Sequence, residues 1–562
     1  MKIKVIKIIK LTLILKFTTF TCLAQWSNNT GVNNPICNDP GYQISPFAVS
    51  DGNGGAIIAW KDGRATGNQY YALYAQRIDV NGIIQWTNNG VPICTLLNDN
   101  SPPEIIADGN GGAIFTWKDS RNGTDNNIYA QRINSNGVIQ WTANGVQVCT
   151  ASYDQIDPKI ISDNNGGAII TWQDYRNNTD WDVYAQKIDS DGVVQWTNNG
   201  TPISLAVNNQ YSPSIVTDGN GGAIIAWRDE RNRVGTPGID ARIWGQHINT
   251  NGTSLWSTNG IVLMPNFGPT TPVMVTDGNG GAIIFWEDYR FGVLNKTIYS
   301  QRIDSNGTKL WTSAGVVICS TQTFASKEFD IISDNNGGAI ITWDFRPGST
   351  EWDIFAQKIN SAGIIQWTPD GVVVSGAVDR QDAPAITTDG NGGAIITWED
   401  RRSGTTYIYA QNISSNGIAQ WTPNGVLVSN LSPYDFGPEI AANNSGGAII
   451  TWTRSSGNSS IGDIYAQNIN ATGTLSVKNQ AAGTASIKLF PNPTTGFITI
   501  QSYATISDIT IINELGQFVY RETSINSEIK EIDLSKLPRG LYMYKLTSVD
   551  GLISDGKIII AN

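Results

Sequence analysis

Six times along the chain an acid and an arginine stand two residues apart behind a tryptophan. The pairs are Asp62/Arg64, Asp119/Arg121, Asp174/Arg176, Asp229/Arg231, Asp288/Arg290 and Asp400/Arg402, and the tryptophans of the first four are Trp60, Trp117, Trp172 and Trp227. An arginine fork matches a carboxylate, so one such arginine is suited to hold an anionic sugar. Catalysis needs unlike groups converging on one asymmetric substrate. A pair copied six times reads instead as one internal ion pair, repeated. Two further copies depart from it, as Trp343-Asp344-Phe345-Arg346 and as Trp452-Thr453-Arg454 without the acid.

Other polar residues recur as strictly. Gln76, Gln131, Gln186, Gln246, Gln301, Gln357, Gln411 and Gln467 occupy one repeated position. Strand alternation puts each on the face of its apolar neighbours, where a buried amide must be hydrogen-bonded. We read them as ties between strands, with a polar channel lining as the alternative. The single histidine, His247, takes a position held elsewhere by Arg77, Arg132, Lys187, Arg302, Lys358, Asn412 and Asn468. That position reads as polar and exposed, and the histidine as incidental. One histidine leaves little for a zinc site or a Ser-His-Asp triad. The Asp-Gly-Asn-Gly-Gly turns carry oxygen ligands for calcium, yet a calcium loop supplies more acids and a bidentate glutamate, so plain hairpins are expected and no cofactor is assigned.

These residues are positioned by a repeat. Asp51-Gly-Asn-Gly-Gly-Ala-Ile-Ile-Ala-Trp60 returns from Asp108, Asp163, Asp218, Asp277, Asp334, Asp389 and Asn443, at spacings of 57, 55, 55, 59, 57, 55 and 54 residues. Such regularity means one supersecondary unit stacked on itself. Each unit divides into four strand-length pieces, exemplified by Pro213–Thr217, Ala223–Trp227, Leu73–Asp79 and Ile83–Trp86. Glycine and asparagine between the first two permit the positive φ of a tight hairpin. A lone meander of this kind leaves both apolar faces wet, and radial stacking covers them. The sequence therefore predicts an all-β, eight-bladed propeller. An open solenoid or two smaller propellers are the structural alternatives.

Tryptophan supports that packing. One set lies in the second strand (Trp60, Trp117, Trp172, Trp227, Trp286, Trp343, Trp398, Trp452) and another in the expected fourth (Trp26, Trp86, Trp141, Trp196, Trp256, Trp311, Trp367, Trp421), together all but three of the 19. Gln25-Trp26 and Pro35-Ile36-Cys37 match the end of a unit whose beginning is missing, whereas the last unit ends at Gly473-Thr-Leu-Ser-Val477 without its tryptophan. The N-terminal strand is expected to complete the last blade. Cys37, Cys94, Cys149 and Cys319 share one position with Ser204, Met264, Ser375 and Ser429, which reads as a small packing site rather than a disulfide framework.

The first 24 residues, with Lys2, Lys4, Lys7 and Lys10 ahead of an apolar run and Cys22-Leu-Ala24, read as a cleaved secretory signal. Cleavage removes five lysines and takes the formal charge from −11 to −16. So acidic a protein is a poor partner for nucleic acid, and no later stretch is long enough for a transmembrane anchor.

After residue 485 the pattern changes to Leu489-Phe490-Pro491-Asn492-Pro493-Thr494-Thr495-Gly496, Asn513-Glu514-Leu515-Gly516, and Leu537 with Gly540, Leu541 and Tyr542. This resembles the type A sorting domain of type IX secretion, which implies a small immunoglobulin-like β-sandwich, the type IX machinery as partner, and delivery to the cell surface or medium. The Asp-Gly-x-Gly-Gly-Ala-Ile-x-x-Trp and Tyr-Ala-Gln-Arg repeats resemble those of exported bacterial proteins of unassigned activity, and more loosely WD, kelch and sialidase-type propellers. In sialidases the aromatic residue follows the acid by about five positions, whereas Trp60 follows Asp51 by nine, so none of their catalytic residues is carried over. The expected organisation is a signal at 1–24, the propeller at 25–478, a linker at 479–484 and the sorting domain at 485–562.

For function, the residues favour a non-enzymatic binding or adhesion scaffold that contacts a glycan or protein through variable loops such as 65–71, 233–242 and 291–296. The alternatives are a carbohydrate-active hydrolase or lyase with one asymmetric pocket, and a structural surface-layer protein. Acids drawn from different repeat positions into one pocket would favour the enzyme.

Overall fold

A computed structural model describes residues 26–475 and 488–561, apart from 65–70, 97–101, 233–240, 265–270, 289, 291–296, 321–328, 335, 347–350, 431–433, 456–461, 514–516 and 549–552. The expected signal, the linker, Gly516 and most of the three variable loops lie outside the described residues. The chain divides into two compact units, 1–477 and 478–562.

The first unit consists of eight four-stranded antiparallel sheets, each a meander. In blade one the strands are Gln43–Ser50, Ala56–Asp62, Ala72–Ile78 and Val91–Cys94. The first strands of the other blades are Glu104–Ala107, Gln155–Ser162, Gln210–Thr217, Val273–Thr276, Phe329–Ser333, Gln381–Thr388 and Tyr434–Ala442. Each packs against the first strand of the next blade, and the last against that of blade one, so the ring is closed. Closure uses the chain's own beginning. Asn34–Cys37 pairs antiparallel with Gly462–Ile469 as the fourth strand of blade eight, and Gln467 donates to the Ser27 carbonyl at 2.8 Å.

Apolar second strands create the core between blades. Ile57, Ala59 and Leu73 of blade one meet Phe115, Trp117 and Tyr129 of blade two. Across the closing seam, Trp26, Ile36, Ile449 and Ile464 meet Ile58 and Trp60. Each seam is a sheet-on-sheet interface with an apolar core.

The expected fourth strand is corrected. Ile83–Trp86 forms only an isolated bridge, Ile78 to Ile84, and the fourth strand is Val91–Cys94. The cause is Gln76: its Oε1 accepts from Trp86 N at 3.0 Å and its Nε2 donates to Thr87 O at 2.7 Å. These bonds hold the segment as a hook. Gly90 then reverses the chain at φ 90°, where a Cβ would stand 2.4 Å from the Trp60 ring, too close for any other residue.

The second unit is a five-stranded antiparallel sheet built on two long strands, Phe497–Asn513 and Phe518–Asp533, with Lys488–Phe490, Gly540–Ser548 and Ile553–Ile560. Register breaks between Gln501 and Asp508 divide the long pair into two segments, and the unit encloses a core that includes Ile498, Ile500, Ile509, Ile532, Leu546 and Ile558.

Candidate functional site

The repeated Asp/Arg pairs are saturated with internal partners. Asp62 is fully buried. It accepts from the Trp60 indole at 2.8 Å, Arg64 N at 3.0 Å and Arg64 Nε at 2.8 Å. The guanidinium stacks on Tyr74 at 4.2 Å and reaches across the seam to Cys37 Sγ at 3.0 Å. Asp174/Arg176, Asp229/Arg231 and Asp400/Arg402 repeat the arrangement at 2.5, 2.6 and 2.5 Å, and Asp119 pairs with Arg121 in the same way. A buried charge pair this fully hydrogen-bonded is held in place from several sides. The side chain of Asp288 lies outside the described set.

The two departures have local solutions. In blade six Phe345 replaces the acid and packs edge-on against Phe355 at 5.6 Å. In blade eight the pair is inverted: Arg454 takes the place of the acid, and Asp435 takes the first-strand place of Gln43, directly opposite. They meet at 3.2 Å, and Arg454 still stacks on a tyrosine, Tyr465, at 3.8 Å.

Gln131, Gln186 and Gln246 repeat the hook made by Gln76, donating to Thr142 O, Thr197 O and Ser257 O at 2.7, 2.8 and 2.9 Å. Trp86, Trp141 and Trp196 each donate an indole N–H to a carbonyl of the following blade at 2.9 to 3.0 Å. Cys37, Cys94, Cys149 and Cys319 are buried and form no disulfide, with burial pushing the thiols of Cys37, Cys94 and Cys149 up to about 12, 11 and 12, far from the thiolate that nucleophilic chemistry requires.

His247 is not exposed. It is 7% accessible, with Nε2 3.0 Å from Asp218 Oδ2 and Nδ1 2.9 Å from Ser305 O of the next blade. Its position faces a seam, so a polar side chain there is enclosed. In the turns, Asp51 Oδ1 accepts from Asn53 N and Gly55 N, both at 2.8 Å, which places the carboxylate inside its own hairpin. Among the described residues no group of three acids, histidines or cysteines is placed to hold a metal.

The asymmetry lies where the repeats differ. One such position follows the second-strand tryptophan: Lys61, Lys118, Gln173 and Arg228 in blades one to four, then Glu287, Asp344, Glu399 and Thr453. The other is on the first strand, opposite the residue before that tryptophan: Phe47, Glu104, Lys159 and Ser214, then Val273, Asp330, Ala385 and Glu439. The first sits at the end of the second strand away from the Asp-Gly-Asn-Gly-Gly turns, and the second pairs with the middle of that strand. Four cations and one acid stand on the first four blades, five acids on the last four. Comparing repeats for what they share passes over these residues; comparing them for what differs is the signal that finds them.

In this region the seam between blades two and three holds a cavity of about 210 Å³ lined by Pro102, Glu104, Lys118, Ile156, Asp157, Pro158 and Lys159. A register shift between Ile156 and Lys159, with Asp157 at φ 53°, makes a bulge in the first strand, a device that re-aims side chains. Lys159 Nζ lies 2.5 Å from Glu104 Oε1 and 3.6 Å from Asp157 Oδ1, and Gln173 donates to Asp157 Oδ2 at 3.1 Å. Burial alone would lower the Lys159 ammonium, but the Glu104 and Asp157 charges outweigh it and hold its pKa above the ordinary value. Opposite in sign, Asp330 in blade six is pushed up to about 6 by burial, against the Ile386 and Ile331 N–H groups that it accepts. Acids from two different repeat positions, Glu104 and Asp157, thus converge with two lysines in one pocket.

In the second unit the predicted sorting residues are tied to the closing strand. Asn492 donates to Lys557 O at 2.7 Å and accepts from Ile559 N at 2.9 Å. Pro491 and Pro493 flank it, and a Cβ on Gly496 would meet Ser535 at 2.9 Å. Tyr542 donates to Pro538 O at 2.7 Å, and Gly540 begins the same strand.

A curated relative, the ulvan lyase NLR42 of Nonlabens ulvanivorans, is 26% identical over 200 residues, 31% of this chain and 36% of that protein. The chain thus matches about a third of that relative's length. Among solved structures, the polysaccharide lyase Uly1 aligns with a TM-score of 0.40 at 8% identity, over 67% of this chain and 91% of that one. A Dyadobacter fermentans protein of unknown function aligns with a TM-score of 0.34 at 7% identity, over 78% and 98%. The Penicillium chrysogenum α-L-arabinanase complexed with arabinobiose gives 0.31 at 12%, over 56% and 93%. The eightfold ring itself rests on the strand pairing above. No helix among the described residues is long and apolar enough to cross a membrane. Residues 488–561 match the secretion system C-terminal sorting domain, so the chain carries a type IX sorting domain and is exported to the cell surface or the extracellular space.

Proposed function

We propose that this exported protein is a carbohydrate-active enzyme of the lyase type, acting on an anionic polysaccharide bound across the first-strand mouth of blades one to four. The observation that carries the reading is the one-sided row of Lys61, Lys118, Lys159 and Arg228 on an otherwise acidic protein, joined by two carboxylates in the blade two to three cavity. The ulvan lyase relative supports the reaction class.

In β-elimination a base removes the proton beside a sugar carboxylate, the electron pair forms a carbon–carbon double bond, and the glycosidic C–O bond breaks. The difficult step is the developing negative charge, which fixed cations stabilise. Lys118 and Lys159 flank the cavity for this purpose, and Lys159 stays protonated beside its two acids. Glu104 and Asp157 supply the proton-transfer groups, directly or through one water.

The test is incubation of the secreted protein with uronate-bearing polysaccharides while the ultraviolet absorbance of unsaturated product is followed. Lys159→Ala is expected to lower kcat/KM on the order of 100-fold, as loss of one charge-stabilising donor does. Saturable binding without product would return the cation row to the binding or adhesion reading. Neither binding nor product would overturn both.

A further inference from the structure

At the opposite end of the blades a basic side chain crosses each seam in blades one to six, an arginine or lysine in all but blade four, where it is His247. It joins the carboxylate of its own Asp-Gly-Asn-Gly-Gly turn, or the matching turn, to a backbone carbonyl of the next blade. Arg77 spans Asp51 at 2.8 Å and Ser135 O at 3.1 Å; Arg132 spans Asp108 at 2.9 Å and Ser190 O at 3.2 Å. Lys187 lies 3.4 Å from Asp163 and 3.5 Å from Gly221 O, and His247 makes the same connection. Arg302 spans Asp277 and Ser361 O at 2.9 and 3.0 Å; Lys358 lies 4.0 Å from Asp334 and 2.7 Å from Gly392 O.

Blades seven and eight both carry asparagine there, with different consequences. In blade eight the acid has changed as well, and Asn443 Nδ2 donates to Asn468 Oδ1 at 2.8 Å, a neutral pair. Blade seven keeps its acid. Asp389 Oδ1 accepts from Asn391 N and Gly393 N at 2.7 and 2.8 Å, but its partner position holds the shorter, uncharged Asn412. The Asn412 side chain is buried, at 6% accessible, and its Oδ1 has no hydrogen-bond partner. Ala471, whose carbonyl accepts from Trp421 as Ser135 O does from Trp86, lines a cavity of about 540 Å³ together with Asp389 and the turns of both blades.

We propose that the seam between blades seven and eight binds a guanidinium or alkylammonium group from outside the chain, through Asp389 and the Ala471 carbonyl, in the place that the short Asn412 side chain leaves unfilled. Arg77, Arg132 and Arg302 show that the turn carboxylate and the carbonyl at the Ala471 position together take a guanidinium, and Lys187 and Lys358 show that the same carboxylate takes an ammonium beside a turn-glycine carbonyl of the next blade. A single carboxylate suits such a cation better than calcium, which gathers six or more oxygens. The site is independent of the proposed lyase mouth.

The experiment is calorimetric titration of the full exported chain with methylguanidinium and methylammonium chloride against sodium chloride of equal ionic strength, with calcium chloride as a further arm. Saturable binding of the organic cations is expected. Asp389→Asn should abolish it, and Asn412→Arg should abolish it while raising the thermal midpoint of the unliganded protein, because the chain then supplies its own guanidinium. Far-ultraviolet circular dichroism checks that both variants fold. An arginine-containing tripeptide that binds at least about tenfold more tightly than methylguanidinium identifies a protein partner as the source; equal affinity identifies a small cation. Absence of saturable binding, survival of binding in Asp389→Asn, or saturation by calcium alone overturns the proposal.

Discussion

The same side-chain types do opposite work in this protein, depending on how many partners each has. Asp229 accepts from the Trp227 indole at 2.7 Å, Arg231 N at 2.8 Å and Arg231 Nε at 2.9 Å. Removing it leaves a largely enclosed guanidinium without its counter-ion. Asp229→Ala should therefore cost about 3–5 kcal/mol in denaturant unfolding, the usual penalty for halving a buried pair. Asp182 is buried for the opposite reason. Burial first, then the charges of Asp180 and Asp174, push its carboxyl up to about 7. In the unfolded chain that carboxyl loses its proton near its ordinary value, so the stability it contributes is present below about pH 4 and is lost as pH rises through about 7. Asp182→Asn should match the parent near pH 4 and exceed it near pH 8 in thermal midpoint. His247 marks the limit of reading such residues from the chain: hydrophilic positions look exposed in a sequence, but here the hydrophilic slot faces a neighbouring blade.

At the level of strands, the second and third pieces of each repeat were legible, because their apolar content and glycine-rich hairpins leave little choice. The fourth was not. Ile83-Ile-Gln-Trp86 has strand composition, but Gln76 takes the hydrogen bonds that would have paired it. The candidate pocket was hidden for a related reason. Lys118 and Lys159 belong to no shared motif, and the bulge at Asp157 that groups them is a local backbone event without its own sequence signature. Closure by the N-terminal strand was readable from the missing final tryptophan. Trp26 donates to Val80 O of blade one at 2.8 Å, so Trp26→Ala should destabilise the ring by about 3–5 kcal/mol, as large aromatic truncations do. It should also expose residues 27–40 to limited proteolysis, whereas Trp141→Ala, inside a covalently continuous blade, should not.

On the scale of the whole molecule, export and ring are separable. The sorting unit has its own core and its Asn492 clasp on the closing strand, so deleting residues 488–561 should leave a folded propeller retained in the periplasm, seen as loss of extracellular protein with normal circular dichroism of the retained material. The closed ring carries a further consequence. Its last strand pairing joins Asn34 to Ala466, so most of the chain must be ordered before the two ends meet. Loop-closure entropy grows slowly with length, but a contact this distant in sequence forms late. Until it forms, Gly462–Ile469 presents an unpaired strand edge, a template for pairing with another chain. The strand Asn34–Cys37 of a second molecule matches that edge as well as the chain's own does. At high concentration, folding and exchange between molecules become competing routes to the same hydrogen bonds, so refolding there should yield a reciprocal, strand-swapped dimer beside the monomer, resolved by size-exclusion chromatography.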